Sequence, residues 1–270
     1  MRINNNITAI NSHRQYGINT NNIGKNVEKL SSGFRVNRAA DDAAGLAISE
    51  KMRAQVRGLN MASKNSQDAI SLVQVAEGGM QTVQNILQRM RELSVQAASD
   101  TNVSLDRAAL DAELQALSTE IDQISETSEF NEMKLLNGEF TGKEIQAGAN
   151  KGQTMSISIA SMSTTILGLN GKTITTRGAA NTTLAAITVA LNSVSTERAK
   201  LGAYQNRLEH KVKNLDNAAE NIAAAESRIR DADMAKMMTE FTKNNILMQA
   251  STSMLAQANS LPQNVLQLLG

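Results

Sequence analysis

Through most of the chain, apolar residues recur at alternating spacings of three and four, the pattern that lays one stripe along a helix. From Leu59 the stripe reads Leu59, Ala62, Ser66, Ala69, Val73, Ala76, Met80, Val83, Leu87 and Met90, beside a second line at Leu72, Gly79, Ile86 and Leu93. Two lines make a broad apolar face, so this helix should touch two neighbours. A further run at Val103, Leu110, Leu114, Leu117, Ile121 and Ile124 begins beside Ser104, a candidate N-cap. The longest run passes from Leu184 through Ile187, Leu191, Val194, Leu201, Leu208, Val212, Leu215, Ala219 and Ile222 to Ile229. Only Arg198, Gln205 and Glu226 interrupt its register. The pattern predicts helices over 48–99, 104–128 and 181–230. At 1.5 Å per residue the first and last would each measure roughly 80 Å, lying side by side with the shorter helix as a third partner.

The period changes in the middle. Met155, Ile157 and Ile159 alternate with Ser156 and Ser158, which is strand spacing, and Lys143–Ala147 alternates more weakly. Ala149-Asn-Lys-Gly152 would close a hairpin between them, and the turn dipeptides Asn137-Gly138 and Asn170-Gly171 flank a β element at about 138–178.

The two ends form a third pattern. Leu247, Ser251, Met254, Ala258, Leu261, Val265 and Leu268 keep heptad spacing, with a second line at Met234, Met238, Phe241, Met248 and Leu255. At the other end Ile3, Ile7, Ile10, Ile23, Val27 and Leu30 are separated by asparagine-rich stretches, which favour helix poorly. Chain ends are usually polar and frayed. These apolar stripes have nothing local to cover them, so they should pair with each other and with other subunits. The candidate polymerisation residues are Ile3, Ile7, Ile10, Ile23, Val27, Leu30, Phe241, Leu247, Met254, Leu261, Val265 and Leu268. The single proline, Pro262, should kink or weaken the last helix.

Composition narrows the function classes. Aromatic residues make up 2% of the chain and tryptophan is absent, so helix seams of Ala, Leu, Ile, Val and 13 Met replace a thick aromatic core. A net charge of +1 gives no reason to expect a nucleic-acid or membrane partner. No run approaches the roughly 18 apolar residues of a membrane span. Met-Arg-Ile-Asn-Asn-Asn-Ile lacks the apolar core of a secretory signal, and the absence of cysteine excludes disulfides.

Candidate chemistry is sparse. Asp41-Asp42 reads as a helix N-cap ahead of Ala43-Ala44-Gly45 rather than as a catalytic carboxylate pair. His13 and His210 lack ligand spacing, and no phosphate loop, His-Glu-x-x-His or Gly-x-Ser-x-Gly motif occurs. No enzyme activity and no cofactor are expected. Gly78-Gly79 inside a helix is either a tolerated flaw or a close approach by a neighbouring element. Arg89, Arg91 and Glu92 read as a solvated face.

Three stretches resemble the bacterial flagellins. They are Leu30–Glu50 (LSSGFRVNRAADDAAGLAISE), Leu87–Gln96 (LQRMRELSVQ), and Ser227–Ala235 followed by Phe241–Leu247 and Pro262–Leu269. The resemblance spans roughly the first 140 and last 90 residues. It implies a mainly α fold: a long antiparallel bundle or coiled coil with a small β hairpin, and N- and C-terminal helices paired coaxially. Residues 1–40 and 233–270 would form a terminal coiled-coil domain, and 41–232 an outer bundle without extra domains, reached through a spoke near 36–46 and 231–233. The resemblance also implies a helical homopolymer, the extracellular flagellar filament, exported unfolded by the flagellar type III apparatus. Its partners would be an export chaperone on the C-terminal helix and the filament cap and hook–filament junction proteins. The family's motif for a host's Toll-like receptor 5 falls on Arg89, Leu93 and Glu113, expected on the bundle surface. Surface glycosylation, known in some flagellins, would fall on Ser156–Thr176. Two alternatives are a hook–filament junction protein, which shares the terminal architecture, and a cytoplasmic coiled-coil scaffold with stably folded ends.

Overall fold

The computed structural model of the chain describes residues 5–269, with side chains to Ser260. Ile3 and the side chains of Leu261, Val265 and Leu268 lie outside the described residues. In chain order the elements are α1 (Ile7–Ser32), α2 (Ala43–Ala97), α3 (Ser104–Thr127), β1 (Glu129–Phe130), β2 (Met133–Lys134), β3 (Lys143–Gln146), β4 (Thr154–Ile157), α4 (Arg177–Arg230) and α5 (Met234–Leu269). The fold is mostly helical with two small antiparallel hairpins. The chain divides into two compact units, one formed by residues up to Ala54 with those from Asn221, the other by Gln55–Glu220.

In the central unit the heptad stripe of α2 is the core. Ala69, Val73, Ala76, Met80, Val83, Leu87 and Met90 are all buried, and they pack with Leu114 and Ile121 of α3 and with Ile187, Val194, Leu201 and Leu208 of α4. Here α2 and α4 run antiparallel, with Ser63 donating to Asp216 at one level and Arg198 reaching Gln84 and Glu77 at another. Arg198 is one of the three breaks in the α4 register. Its Nη1 donates to Gln84 Oε1 at 2.6 Å and its Nη2 to Glu77 Oε1 at 3.2 Å, so a polar cross-link replaces an apolar layer. Ser104 is the first helical residue of α3 rather than its cap. Val103 holds the cap position, and the Asp106 carboxylate accepts from its N–H at 3.2 Å.

The β3–β4 hairpin has the expected strands and turn, pairing Lys143 with Ile157 and Gln146 with Thr154 around Gly152 at φ +83°. Residues 158–176 do not extend it. They run irregularly over α3, burying Ile159, Met162, Leu167, Leu169 and Ile174. Two α3 carboxylates hold this segment: Asp122 accepts from the Thr164 N–H and hydroxyl, both at 2.8 Å, and Asp111 from the Ile174 N–H at 2.7 Å.

The preceding β1–β2 hairpin turns through Asn131 and Glu132, both at positive φ, the geometry of a two-residue type I′ turn. The residues that flank it, Ser128 and Leu136, explain one glycine of the Gly78-Gly79 pair. A Cβ on Gly79 would lie 2.8 Å from Leu136 Cδ1 and 3.0 Å from Ser128 Oγ, whereas one on Gly78 would meet nothing within 4 Å.

Candidate assembly surface

In the terminal unit α1 and α5 pack antiparallel. Asn6 Nδ2 donates to the Ala258 carbonyl at 2.7 Å and Asn19 Nδ2 to Ser251 Oγ at 3.2 Å. The shielded positions of α1 include Tyr16, Asn19, Ile23, Asn26 and Leu30, and those of α5 include Met237, Phe241, Asn244, Met248, Ser251, Leu255 and Ala258. Both sets alternate spacings of three and four, so each is a heptad seam. The seam keeps Ile23, Leu30, Phe241, Met248, Ser251, Leu255 and Ala258 of the stripes read from the sequence and adds Tyr16, Asn19, Asn26, Met237 and Asn244. Asn19 and Asn26 are buried within it, although asparagine favours helix poorly. A buried polar residue at a seam position fixes register at some cost in stability. Spacing could have revealed it, since Asn19 and Asn26 stand one heptad apart among Tyr16, Ile23 and Leu30.

The candidate polymerisation residues divide accordingly. Ile23, Leu30 and Phe241 enter the α1–α5 seam and are partly buried. Ile7 and Ile10 remain 62% exposed and Met254 65% exposed, and Val27 and Leu247 are also open, joined by Ile18, Met234, Met238 and Ile246. Both helices thus leave apolar side chains that the subunit itself does not cover: Ile7, Ile10 and Ile18 share one face of α1, whereas those of α5 are spread around its circumference outside the seam. The helical assignment of α5 continues through Pro262 to Leu269.

The segment joining this pair to α2 and α4 is built from backbone pairing. The Arg35 N–H donates to the Arg230 carbonyl at 2.7 Å and the Ala232 N–H to the Gly33 carbonyl at 2.9 Å. The Arg230 guanidinium sits 4.7 Å from the Phe34 ring centroid and pairs with Glu50. Asp42 caps α2, its Oδ1 accepting from the Gly45 N–H at 2.8 Å. Asp41 accepts from the N–H groups of Arg38 and Asn37, and these bonds, Arg38 first, hold its carboxyl below the ordinary aspartate range. The expected cap is therefore Asp42, while its neighbour shapes the approach.

Arg89, Leu93 and Glu113 do not share one environment. Arg89 Nε pairs with Glu113 Oε1 at 2.9 Å and its Nη1 with Glu92 Oε2 at 3.1 Å, all three on the surface. The bond to Glu113, then that to Glu92, raises the Arg89 pKa further. Leu93 is 1% exposed, because it belongs to the apolar face of α2 that packs into the core. The expectation of three surface residues is corrected to two. Among the described residues no group of His, Asp and Glu is placed to hold a metal ion, and no helix is long and apolar enough to cross a membrane.

Long helices packed along heptad seams, with apolar side chains left uncovered on the terminal pair, are the features of a helical structural protein. Residues 3–141 match the family described as bacterial flagellin N-terminal helical region, and residues 184–269 the bacterial flagellin C-terminal helical region. A flagellin of Halalkalibacterium halodurans is 56% identical over 271 residues, and one of Bacillus subtilis 50% identical over 303, with each pair covering both chains in full. The crystal structure of Bacillus cereus flagellin, 33% identical, superposes with a TM-score of 0.52 over 60% of this chain and 94% of that one. The chain belongs to the bacterial flagellin family: it is a structural subunit of the flagellar filament, not an enzyme.

Proposed function

We propose that this chain polymerises through the apolar side chains that α1 and α5 leave uncovered, and that neighbouring subunits are what cover them. The observation that carries the reading is that the α1–α5 seam closes one face of each terminal helix while Ile7, Ile10, Val27, Leu247 and Met254 stay open outside it. Burying such side chains contributes about 1.5–3 kcal/mol each. Many such contacts per subunit outweigh the entropy of ordering long terminal helices. Residues 1–40 with 233–270 act as the assembly core and 41–232 as the outer bundle. Before assembly the ends are loosely held, which suits export of an unfolded chain through the type III apparatus, with an export chaperone shielding the α5 face. The filament cap and the hook–filament junction proteins are its partners at the two ends of the polymer. Arg89 and Glu113, with Leu93 beneath them, form the candidate contact for Toll-like receptor 5.

Purified monomer seeded with filament fragments tests the reading. Elongation should proceed, and limited proteolysis should trim both ends of the monomer but not of the polymer. No elongation under any salt or precipitant condition, or equal resistance of the ends in both states, would overturn it.

A further inference from the structure

Among the described residues no further strand pairs with either edge of the β3–β4 hairpin, and the surfaces beyond the two edges carry opposite charge. Beyond β3 lies a groove of about 290 Å³ floored by Leu72, Phe130, Met133 and Ile145, with the carboxylates of Asp68 and Glu144 on its rim. Beyond β4, beside Thr154 and Met155, α4 presents Arg207, His210, Lys211 and Asn214. Their spacing puts them on one face of the helix. None of Asp68, Glu144, Arg207 and Lys211 has an ion-pair partner among the described residues.

Long basic side chains lay their methylene stems along apolar surface and keep their charged heads at a polar margin. An apolar floor with a carboxylate rim is the surface such side chains fit. One chain does not bring ridge and groove together, because they flank the two edges of its own hairpin. Two copies can. A contact between unlike patches is heterologous, so it repeats from subunit to subunit instead of closing a dimer. The net charge of +1 leaves little overall repulsion to oppose it.

We propose that the Arg207–Lys211 ridge of one copy seats in the groove rimmed by Asp68 and Glu144 on a neighbouring copy. This rests on the filament reading and adds to the terminal helices a second, charge-matched contact between central units.

Charge reversal tests it. Asp68→Lys with Glu144→Lys makes both flanks basic, and Arg207→Glu with Lys211→Glu makes both acidic. Each variant alone should elongate wild-type seeds at least about tenfold more slowly than wild type, since juxtaposed like charges oppose docking. The equimolar mixture should recover most of the wild-type rate, because each acidic flank then meets a basic one. The shape-preserving pair Asp68→Asn with Glu144→Gln, also slower than wild type, guards against misfolding of the reversed chains. Either reversal elongating alone at the wild-type rate, or a mixture no faster than its components, would overturn the proposal. Failure of wild type on its own seeds would instead overturn the filament reading and this contact with it.

Discussion

Gly78 and Gly79 are adjacent in sequence, yet only one is required. Adding a methyl at Gly79 drives it into Leu136 and Ser128, so Gly79→Ala should destabilise the monomer by about 1–3 kcal/mol. Gly78→Ala, on open helix surface, should stabilise it by about 1 kcal/mol. Urea unfolding of the two variants checks both signs. From the sequence the pair was ambiguous, because the element that approaches Gly79 is a hairpin of two-residue strands with no Asn-Gly turn to announce it. The neighbouring aspartates were more legible, since a cap depends only on local spacing. Asp42→Ala should cost about 1 kcal/mol. Asp41 behaves differently with pH. Its folded pKa is depressed, so its contribution is complete above the unfolded value of about 3.9 and is lost as pH falls through the lower folded value. The stability gap between wild type and Asp41→Asn, measured by unfolding across pH, should be constant near neutrality and close in that acid window. A gap that persisted below it would exclude the carboxylate as its source.

At the scale of elements, the three helices of the central unit were readable to within a few residues. Their apolar period is set by burial on fixed faces, and the polar break at Arg198 is satisfied across the seam instead of ending the helix. The β3–β4 hairpin was readable for the same reason. The segment 158–176 was not, because its order comes from carboxylates of α3 distant in sequence rather than from any local period. The α1–α5 seam was only partly legible, since the buried Asn19 and Asn26 and the half-buried Asn244 are positions that no hydrophobic count selects. Its asparagines should therefore act on register. Asn19→Leu should raise the helicity of the free chain by circular dichroism while slowing seeded elongation, because an apolar seam tolerates slipped pairings. Faster elongation by this variant would contradict a register role.

At the scale of the whole molecule, the chain buries a continuous core between α2, α3 and α4 but leaves its terminal helices half covered. Family membership names the polymer, and the proposal assigns its contacts to apolar side chains that α1 and α5 leave exposed. The apolar stripes at both ends were visible in the sequence, but which of their residues close within the subunit was not. Methionine oxidation footprinting of monomer and filament reads this division directly. Met254, 65% exposed, and Met238, 51% exposed, are open on α5, whereas Met80 is fully buried in the central core. Met254 and Met238 should oxidise readily in the monomer and become protected in the filament, with Met80 protected in both. Oxidation of Met254 and Met238 at the same rate in filament as in monomer would contradict the account.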